Sequence, residues 1–442
     1  MIVLKFGGSS LQSAAKIRRC VAIIGRQIDR NPVVVVSAMG KTTDRLLEAA
    51  RRALEGKVDT AEIEAFHLEA VKELGIEKKL IENLLYKLEA LLHGISLLKE
   101  LTPRTLDQVL SFGEWISSCV VAAALTGEGI PAASVSAWDI GLLTDSNFAG
   151  ASPLPGIDAE IRRRLGAFKE VPVITGFIAK DAKGNITTLG RSGSDFSASI
   201  IGAAMDAEEI QIWTDVDGVM TADPDLAPEA RNLPMLSFNE ASELAHYGAE
   251  VLHPSTLIPA IEKKIPVRVA NTGRPDDPGT KIVAGSALTN RIAKSIVYKE
   301  NLVLINVVSQ RFSSTARLLS HALGVLTGRG IDIHGAATSE WSVSFVTDRP
   351  YDDETLEGAA AGLRECGAVT IERGRALICV VGEELRGNPA VLGRIFTAVG
   401  ASGINARMVA QSASGINIGF IVDNTQIARA VTSLHKMLLG GG

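Results

Sequence analysis

The sequence predicts an α/β protein in which a three-layer α/β/α domain is followed by two small ferredoxin-like domains. Short β-branched segments such as Val33–Val36 are apolar throughout, which is typical of parallel strands covered by helices on both faces. Strands and helices alternate over most of the chain, an order that favours a helix-covered sheet. Near Arg291 the pattern changes to a shorter unit that occurs twice.

The first elements are a buried strand, Ile2–Phe6, and a helix, Lys16–Arg30. Pro32 ends that helix before the second strand, Val33–Val36. A helical block extends from Thr43 to Leu101, because its apolar residues recur with helical spacing.

Within this block Gly75 and Gly94 are expected to separate individual helices, and Pro103 ends it. Three further strands are predicted at Val171–Ile174, Glu209–Trp213 and Pro266–Val269. Each strand leads into a polar or glycine-containing turn.

The C-terminal repeat is visible in two matching segments. Gly330-Ile331-Asp332-Ile333 in the first unit corresponds to Gly403-Ile404-Asn405-Ala406 in the second, and Phe345 corresponds to Phe420. Each unit has the order helix, Gly-Ile turn, strand, small-residue turn, strand. This order predicts two ferredoxin-like domains.

Composition places the chain among ordinary globular proteins. Its 442 residues are 46% hydrophobic and 21% charged, and the formal net charge is -5. That balance argues against nucleic acid as a partner, because tracking phosphates requires clustered lysine and arginine. The four cysteines lie far apart in apolar stretches, so we expect reduced core residues and a cytoplasmic protein. No signal-peptide pattern and no apolar stretch of about 20 residues points to a membrane.

The first candidate site is Gly7-Gly8-Ser9-Ser10, between a strand and a helix. Its backbone N–H groups can face an anion, and Lys5 adds a cation beside it. A glycine pair in this position also fits an ordinary strand-to-helix turn.

A second glycine loop, Gly190–Asp195, carries Arg191, which suits a carboxylate or a phosphate, and Asp195, which suits a metal or a lysine. Ser194 or Asp195 could equally cap the following helix, and both roles can hold at once. We expect the two glycine loops to end strands of one sheet and to face each other across phosphates.

The segment Trp213–Val219 follows a strand and contains Asp-Val-Asp-Gly. It lacks the closing Glu of an EF-hand, so we interpret it as a ligand loop at the carboxyl end of a strand. Gly40-Lys41-Thr42 is not the end of a Walker A motif, since Val35 occupies the position of the first glycine. The histidines, including His253, show neither catalytic nor metal-ligand spacing.

Together these motifs resemble those of aspartate kinases, and they occur in that family's order over essentially the whole chain. The matching segments are Lys5–Ser10, Phe112-Gly113-Glu114, Gly190–Asp195, Trp213–Gly218, Gly248–Pro254 and Ile265–Ile282. The two C-terminal repeats resemble ACT domains, the regulatory modules of this family.

The resemblance implies an amino-acid-kinase domain over residues 1–292 and ACT domains over 300–372 and 373–439, the second with a strand from 293–299. It implies transfer of the ATP γ-phosphoryl group to the β-carboxylate of L-aspartate, the first step of aspartate-derived amino-acid biosynthesis. ATP and Mg²⁺ are the implied cofactors, with Mg²⁺ held mainly by the ATP phosphates and no direct protein ligand. The carboxylate is already nucleophilic at pH 7, so no strong general base is required.

The resemblance also implies roles for individual residues. Lys5 and Asp195 would be catalytic, Lys5 binding the transferring phosphoryl group. The substrate-binding residues would be Thr43, in the turn after the second strand, Glu114, Arg191 and Ser194. The nucleotide-binding residues would be Lys5, Phe6, Gly7, Gly8, Ser9, Gly193, Thr214, Asp215 and Met220.

Several positions depart from the family pattern. Ser192 replaces a usual glycine, and Met220, Asp225 and Glu250 replace a Tyr, an Arg and a Lys found near the nucleotide in several members. Lysine or threonine is a possible effector of the first ACT unit. Its candidate contacts are Ser313, Ser314, His334, Thr338, Ser339 and Glu340.

His334 stands where lysine-regulated members have an acidic residue, so we expect weak or no inhibition by lysine. The family further implies a homo-oligomer formed through the ACT domains. Two other functions remain open: another amino-acid kinase, acting on glutamate or acetylglutamate, and an amino-acid-sensing protein with weak catalysis.

Overall fold

A computed structural model of the chain describes residues 1–248, 254–285, 293–309, 314–388 and 390–440. These residues form two compact units. The first comprises residues 1–219, 234–242 and 254–285, and the second comprises 220–233, 243–248 and the described residues from 293 onward. The predicted boundary at residue 292 lies outside the described residues.

The first unit is α/β throughout. Its elements in chain order are β1 (Ile2–Phe6), α1 (Ala14–Gly25), β2 (Pro32–Val36), α2 (Thr42–Leu54), α3 (Ala61–Glu73), α4 (Lys79–Leu98), α5 (Pro103–Leu110), α6 (Phe112–Gly127), β3 (Ala132–Val135), β4 (Leu143–Thr144), α7 (Asp158–Leu165), β5 (Val171–Thr175), β6 (Ile178–Asp181), β7 (Ile186–Thr188), α8 (Gly193–Ala204), β8 (Ile210–Thr214), β9 (Met235–Ser237), α9 (Phe238–His246), α10 (Pro254–Glu262), β10 (Val267–Asn271) and β11 (Thr280–Val283). The last residues of α9 belong to the second unit.

An eight-stranded sheet in the order β3-β5-β2-β1-β8-β10-β11-β9 forms the centre of this unit. Six neighbouring strands, β3, β5, β2, β1, β8 and β10, pair in parallel, so their carboxyl ends lie along one edge of the sheet. Phe6 is in register with Val36 on one side and with Trp213 on the other. The loops that follow β1, β2, β5 and β8 therefore emerge together, where α/β sheets bind ligands.

Helices cover both faces of the sheet, because its central strands are apolar on both sides. Leu4 and Val34 pack into the core formed with α1 to α6. On the other face α8 contacts β1, and Gly202 lies close to Ile210 and Val3. The α/β/α layering predicted from the sequence is confirmed.

One helix differs from the sequence predictions. Gly94 lies inside α4, so the predicted break there is wrong; the buried Leu88, Leu92 and Ile95 hold the helix through it. The helical stretch 103–127 is long and apolar enough to cross a membrane, yet 72% of its most apolar window is buried inside the protein. It is therefore a core segment of the first unit.

A separate three-stranded sheet has the order β4-β6-β7. The second glycine loop follows β7 and not a strand of the main sheet. The prediction that both glycine loops end strands of one sheet is wrong, because β6 and β7 form a hairpin between β5 and α8.

The second unit contains a six-stranded sheet in the order β13-β14-β12-β15-β17-β16. Its elements are β12 (Ser295–Ser309), α11 (Thr315–Gly328), β13 (Ile333–Thr338), β14 (Ser342–Thr347), α12 (Asp353–Leu363), β15 (Gly367–Val381), α13 (Ala390–Ala401), β16 (Val409–Ala410), β17 (Asn417–Asp423) and α14 (Ile427–Leu438).

The long antiparallel strands β12 and β15 run through both halves of this sheet. Ser295–Lys299 pairs with Leu377–Val381, and the later part of β12 pairs with the earlier part of β15. One core contains α13 and α14, and another contains α11 and α12. The sheet thus consists of two ferredoxin-like halves.

Candidate active site

Lys5 and Asp195 form the charged centre of the first unit. Lys5 lies at the carboxyl end of β1, and Asp195 lies in the first turn of α8. The Lys5 Nζ is 2.6 Å from the Asp195 Oδ1, and the two side chains are only 9% and 13% exposed. This ion pair joins the strand before the first glycine loop to the helix after the second.

The first glycine loop packs tightly against the loop that follows β2. A Cβ on Gly8 would lie 2.7 Å from the carbonyl oxygen of Ala38 and 2.8 Å from that of Gly40, so only glycine fits there. The Gly40 N–H donates to the Gly8 carbonyl at 2.8 Å. The backbone that follows Lys5 is therefore fixed within the site.

Glu114 contributes an unpaired buried oxygen. It lies in the first turn of α6, 2% exposed, and its Oε1 accepts a hydrogen bond of 2.9 Å from the Ala38 N–H. Its Oε2 has no hydrogen-bond partner within the part of the chain that the structure describes. Burial raises the pKa of Glu114 to about 8, while the Ala38 N–H and the charge of Lys5 oppose that rise. A bound cation would give the Glu114 Oε2 a partner and would favour the ionised carboxylate.

The turn between β5 and β6 lies against the start of α8. Phe177 adopts a left-handed backbone with φ +64, and its N–H donates to the Ser197 Oγ at 3.0 Å. A Cβ on Gly176 would lie 2.7 Å from the Ser194 Cβ, so a larger residue would displace Ser194. The turn thereby fixes the first turn of α8, which carries Ser194 and Asp195.

The second glycine loop is strained and partly open to solvent. Ser192, which replaces a family glycine, has a left-handed backbone with φ +55 immediately before α8. Arg191 is exposed, whereas Gly193 and Ser194 are buried. Arg191 is thus accessible to a soluble substrate.

The loop after β8 is held by β10 and its turn. The Thr214 hydroxyl donates to the Asp215 Oδ1, and the Asn271 Nδ2 donates to Asp217 at 2.6 Å. The Thr272 N–H donates to the Thr214 carbonyl at 2.9 Å. Asp215 is exposed, so it is accessible to a nucleotide.

The remaining predicted residues belong to other elements. Thr43 is the second residue of α2, so its predicted placement in a turn is wrong; the helix begins directly after the β2 loop. Met220 belongs to the second unit, where its carbonyl accepts from the Ser295 hydroxyl. Asp225 is also in the second unit and exposed. Glu250, His253 and Ser313 lie outside the described residues.

The predicted effector residues divide into two places in the second unit. At the start of α11, Ser314 is followed by Thr315, whose hydroxyl donates to the carbonyls of Ser339 and Glu340. Thr338, Ser339 and Glu340 are exposed at the end of β13.

His334 lies further back on β13 and stacks on His246, with ring centroids 4.4 Å apart. Burial, His246 and Lys299 lower the pKa of His334 to about 4, so its ring is neutral at pH 7.

No group of three metal-ligating side chains occurs among the described residues. The ion-paired Asp195 is the acidic group nearest to Lys5 in the site. Such a donor set fits a Mg²⁺ ion that takes most of its oxygen ligands from phosphates.

Sequence reasoning missed Gly176, Phe177 and Asp107. Gly176 and Phe177 follow a predicted strand, which was the available signal. Asp107 is a fully buried carboxylate in α5, and an acidic residue in a polar helical stretch gives no sign of burial.

Residues 1–271 match the model of the amino acid kinase family, and residues 378–438 match a model of the ACT domain. Aspartokinase 1, chloroplastic, from Arabidopsis thaliana is 38% identical over an alignment 458 residues long, and the alignment covers 100% of this chain and 80% of that protein.

Among solved structures, E. coli aspartokinase III in complex with aspartate and ADP aligns over 99% of both chains, with a TM-score of 0.82 and 27% identity. The same enzyme in complex with lysine and aspartate gives a TM-score of 0.81 at 27% identity, again over 99% of both chains. Clostridium acetobutylicum aspartate kinase gives 0.85 at 25% identity, over 99% of this chain and 100% of that one.

Proposed function

The chain belongs to the amino acid kinase family as one of its aspartokinases, and on this premise we propose how its residues transfer the γ-phosphoryl group of ATP to the β-carboxylate of L-aspartate. The observation that carries the proposal is the buried Lys5–Asp195 pair at the carboxyl edge of the sheet, with Glu114 buried close enough for the charge of Lys5 to affect its pKa. The site thus offers a cation for phosphate and a carboxyl group that ionises when an ammonium binds.

Lys5 is the group that stabilises the transferring phosphoryl. Its side chain is nearly buried, so its charge acts in a medium where electrostatic interactions are stronger than in water. Asp195 fixes the Lys5 ammonium. The Gly7 N–H donates to the Trp213 carbonyl at 3.0 Å, which anchors the glycine loop, and the backbone that follows Gly7 presents N–H groups to the phosphates. Catalysis then consists of positioning and charge stabilisation, as is general for phosphoryl transfer.

The acceptor is held by its own charged groups. The unpaired Glu114 Oε2 accepts from the α-ammonium of aspartate, and Arg191 pairs with a carboxylate. Ser194 and Thr43 supply hydroxyl groups from the first turns of α8 and α2.

The nucleotide lies along Gly7, Gly8, Ser9 and Gly193, with Thr214 and Asp215 beside it. Phe6 is fully buried at the end of β1, so it supports the glycine loop from below. Asp195 is the residue that would face a Mg²⁺ ion held mainly by ATP oxygens, and such an ion would supply charge neutralisation for the phosphates.

The second unit is assigned to regulation and to assembly, as in related aspartokinases. ACT domains bind amino-acid effectors, and the E. coli relative has been crystallised with lysine. We propose a homodimer formed through the second unit, a cytoplasmic location, and an effector site that includes Ser314, Thr338, Ser339 and Glu340, with Ser313 from outside the described residues.

A coupled ADP-release assay tests the activity. Aspartate should be phosphorylated, and glutamate and acetylglutamate should not. Lys5→Met and Asp195→Asn should each lower kcat by at least about 10³-fold while circular dichroism stays unchanged. A variant that retains wild-type kcat would remove its residue from the catalytic machinery, and turnover of glutamate in preference to aspartate would overturn the substrate.

A further inference from the structure

Asp107 is a buried carboxylate that lies outside the Lys5–Asp195 pair. It lies in α5, is 0% exposed, and forms no ion pair within the described residues. Its oxygens accept hydrogen bonds from the Ala149 N–H at 3.0 and 3.1 Å, from the Thr188 N–H at 2.9 Å and from the Thr188 hydroxyl at 2.9 Å. A buried carboxylate held by neutral donors is costly, so a role beyond packing is expected.

These bonds hold Ala149 and Thr188 in place. We call these two residues the stem of the second glycine loop, because the loop begins just after Thr188 and passes close to Ala149. Thr188 ends β7, and Gly190 follows two residues later with φ +75. Gly190 lies close to Ala149: a Cβ added to Gly190 would be 3.4 Å from the Ala149 carbonyl oxygen. The Ala151 N–H also donates to the Thr188 carbonyl at 2.9 Å. Moving either segment would therefore move the loop that carries Arg191.

The same helical stretch also carries Glu114, seven positions further along the chain. Glu114 belongs to the first turn of α6, and α6 follows α5 after the single residue Ser111. One buried segment thus holds the group assigned to the α-ammonium and the anchor of the loop assigned to a carboxylate. The distance between those two groups is the property that separates aspartate from its one-methylene-longer homologue, glutamate.

We propose that Asp107 is a positioning residue that sets the acceptor selectivity of the enzyme for aspartate over glutamate. Its carboxylate fixes the stem at Ala149 and Thr188, so Arg191 meets a carboxylate at the spacing of a four-carbon substrate. The inference rests on the proposed role of Arg191. A displacement of about 1 Å in such a group can change the rate by about 10²-fold.

The test compares three variants through their KM for aspartate, their KM for ATP and their ratio of kcat/KM for aspartate over glutamate. Asp107→Ala should raise the aspartate KM about tenfold or more, leave the ATP KM within about twofold, and lower the selectivity ratio about tenfold.

Asp107→Asn keeps one oxygen for the two N–H groups and can donate to the Thr188 hydroxyl. Because bonds to a neutral acceptor are about half as strong as bonds to a carboxylate, it should raise the aspartate KM about threefold. Thr188→Val removes the hydroxyl alone and serves as the matched control, with an effect no larger than that of Asp107→Asn.

Equal changes in the KM values for aspartate and ATP would overturn the proposal, since they indicate general damage. So would an unchanged aspartate KM in a folded Asp107→Ala variant. If that variant does not fold, Asp107→Asn decides the question, and wild-type aspartate KM and selectivity in it would refute the proposal. Arg191→Ala separates the two hypotheses: an unchanged aspartate KM there refutes the role of Arg191 itself, whatever the Asp107 variants show.

Discussion

Replacing Glu114 with Gln should abolish a proton release that accompanies aspartate binding. Without ligand, burial holds the pKa of Glu114 at about 8, and its Oε2 has no hydrogen-bond partner among the described residues. An α-ammonium bound beside that oxygen favours the ionised form. At pH 7 the free carboxyl is therefore mostly protonated and must lose its proton when aspartate binds.

The magnitude follows from the pKa of Glu114, which is about 8 in the free enzyme. At pH 7 about nine-tenths of a proton leaves per bound aspartate, and ionisation costs about 1.4 kcal/mol of binding free energy. The aspartate affinity should fall about tenfold for each pH unit below about 8 and reach a plateau above it. Losing the charged pair in Glu114→Gln should cost ~2–3 kcal/mol above about pH 8, or about 30- to 150-fold in kcat/KM. At pH 7 the loss should be about tenfold smaller, because Gln has no ionisation cost.

Isothermal titration calorimetry in phosphate and in Tris measures this release, because the two buffers differ in their heats of ionisation. For the wild-type enzyme at pH 7, the apparent binding enthalpy should differ between the buffers by about nine-tenths of the difference in their ionisation heats. Glu114→Gln is isosteric and cannot ionise, so its binding enthalpy should be independent of buffer. A buffer-independent enthalpy in the wild type would refute the assignment of Glu114 to the ammonium.

Three further predictions concern stability and the second unit. Burial lowers the pKa of His67 from 6.5 to about 4, so the unfolded state binds more protons between these pH values. The free energy of unfolding should therefore fall by up to about 1.4 kcal/mol per pH unit as the pH drops from 6.5 toward 4. Urea titrations of His67→Gln should show a smaller fall over the same pH range. Titrating lysine and threonine separately in the kinase assay should show weak or no inhibition by lysine, because His334 is neutral and stacked on His246; strong inhibition by lysine alone would contradict this. The edge strands β13 and β16 of the six-stranded sheet favour pairing or covering by a second chain, so ultracentrifugation at micromolar concentration should give a dimer, and a monomer would be the contrary result.

The fold was largely predictable from the sequence, because strands buried on both faces are recognisable as short β-branched runs. The motif order also indicates Lys5, Glu114 and Asp195 as candidate site residues. The break predicted at Gly94 failed for a physical reason. A glycine inside a helix costs about 1 kcal/mol, and the buried apolar side chains of α4 outweigh that cost.

Some parts of the site leave no local signal in a sequence. The hairpin of β6 and β7 places the second glycine loop outside the main sheet, and its register depends on pairing that no single segment specifies. Asp107 looks like a surface residue of a polar helix, although four hydrogen bonds from two distant segments converge on it. Contacts of this kind depend on the three-dimensional arrangement and not on composition or spacing.

The charges of the site explain why substrate and nucleotide must complete it. Lys5 and Asp195 compensate each other at 2.6 Å, so their pair is stable without ligands. Glu114 has no such partner and stays mostly protonated until an ammonium arrives. Transfer brings an anionic acceptor to an anionic phosphoryl group, and Lys5 can stabilise that charge only by sharing its ammonium between Asp195 and phosphate.

Replacing Asp195 by Asn would free Lys5 to bind ATP more tightly, yet it would also release the ammonium from its fixed position. The ATP KM should therefore fall or stay constant while kcat collapses, a separation that simple loss of nucleotide binding cannot produce.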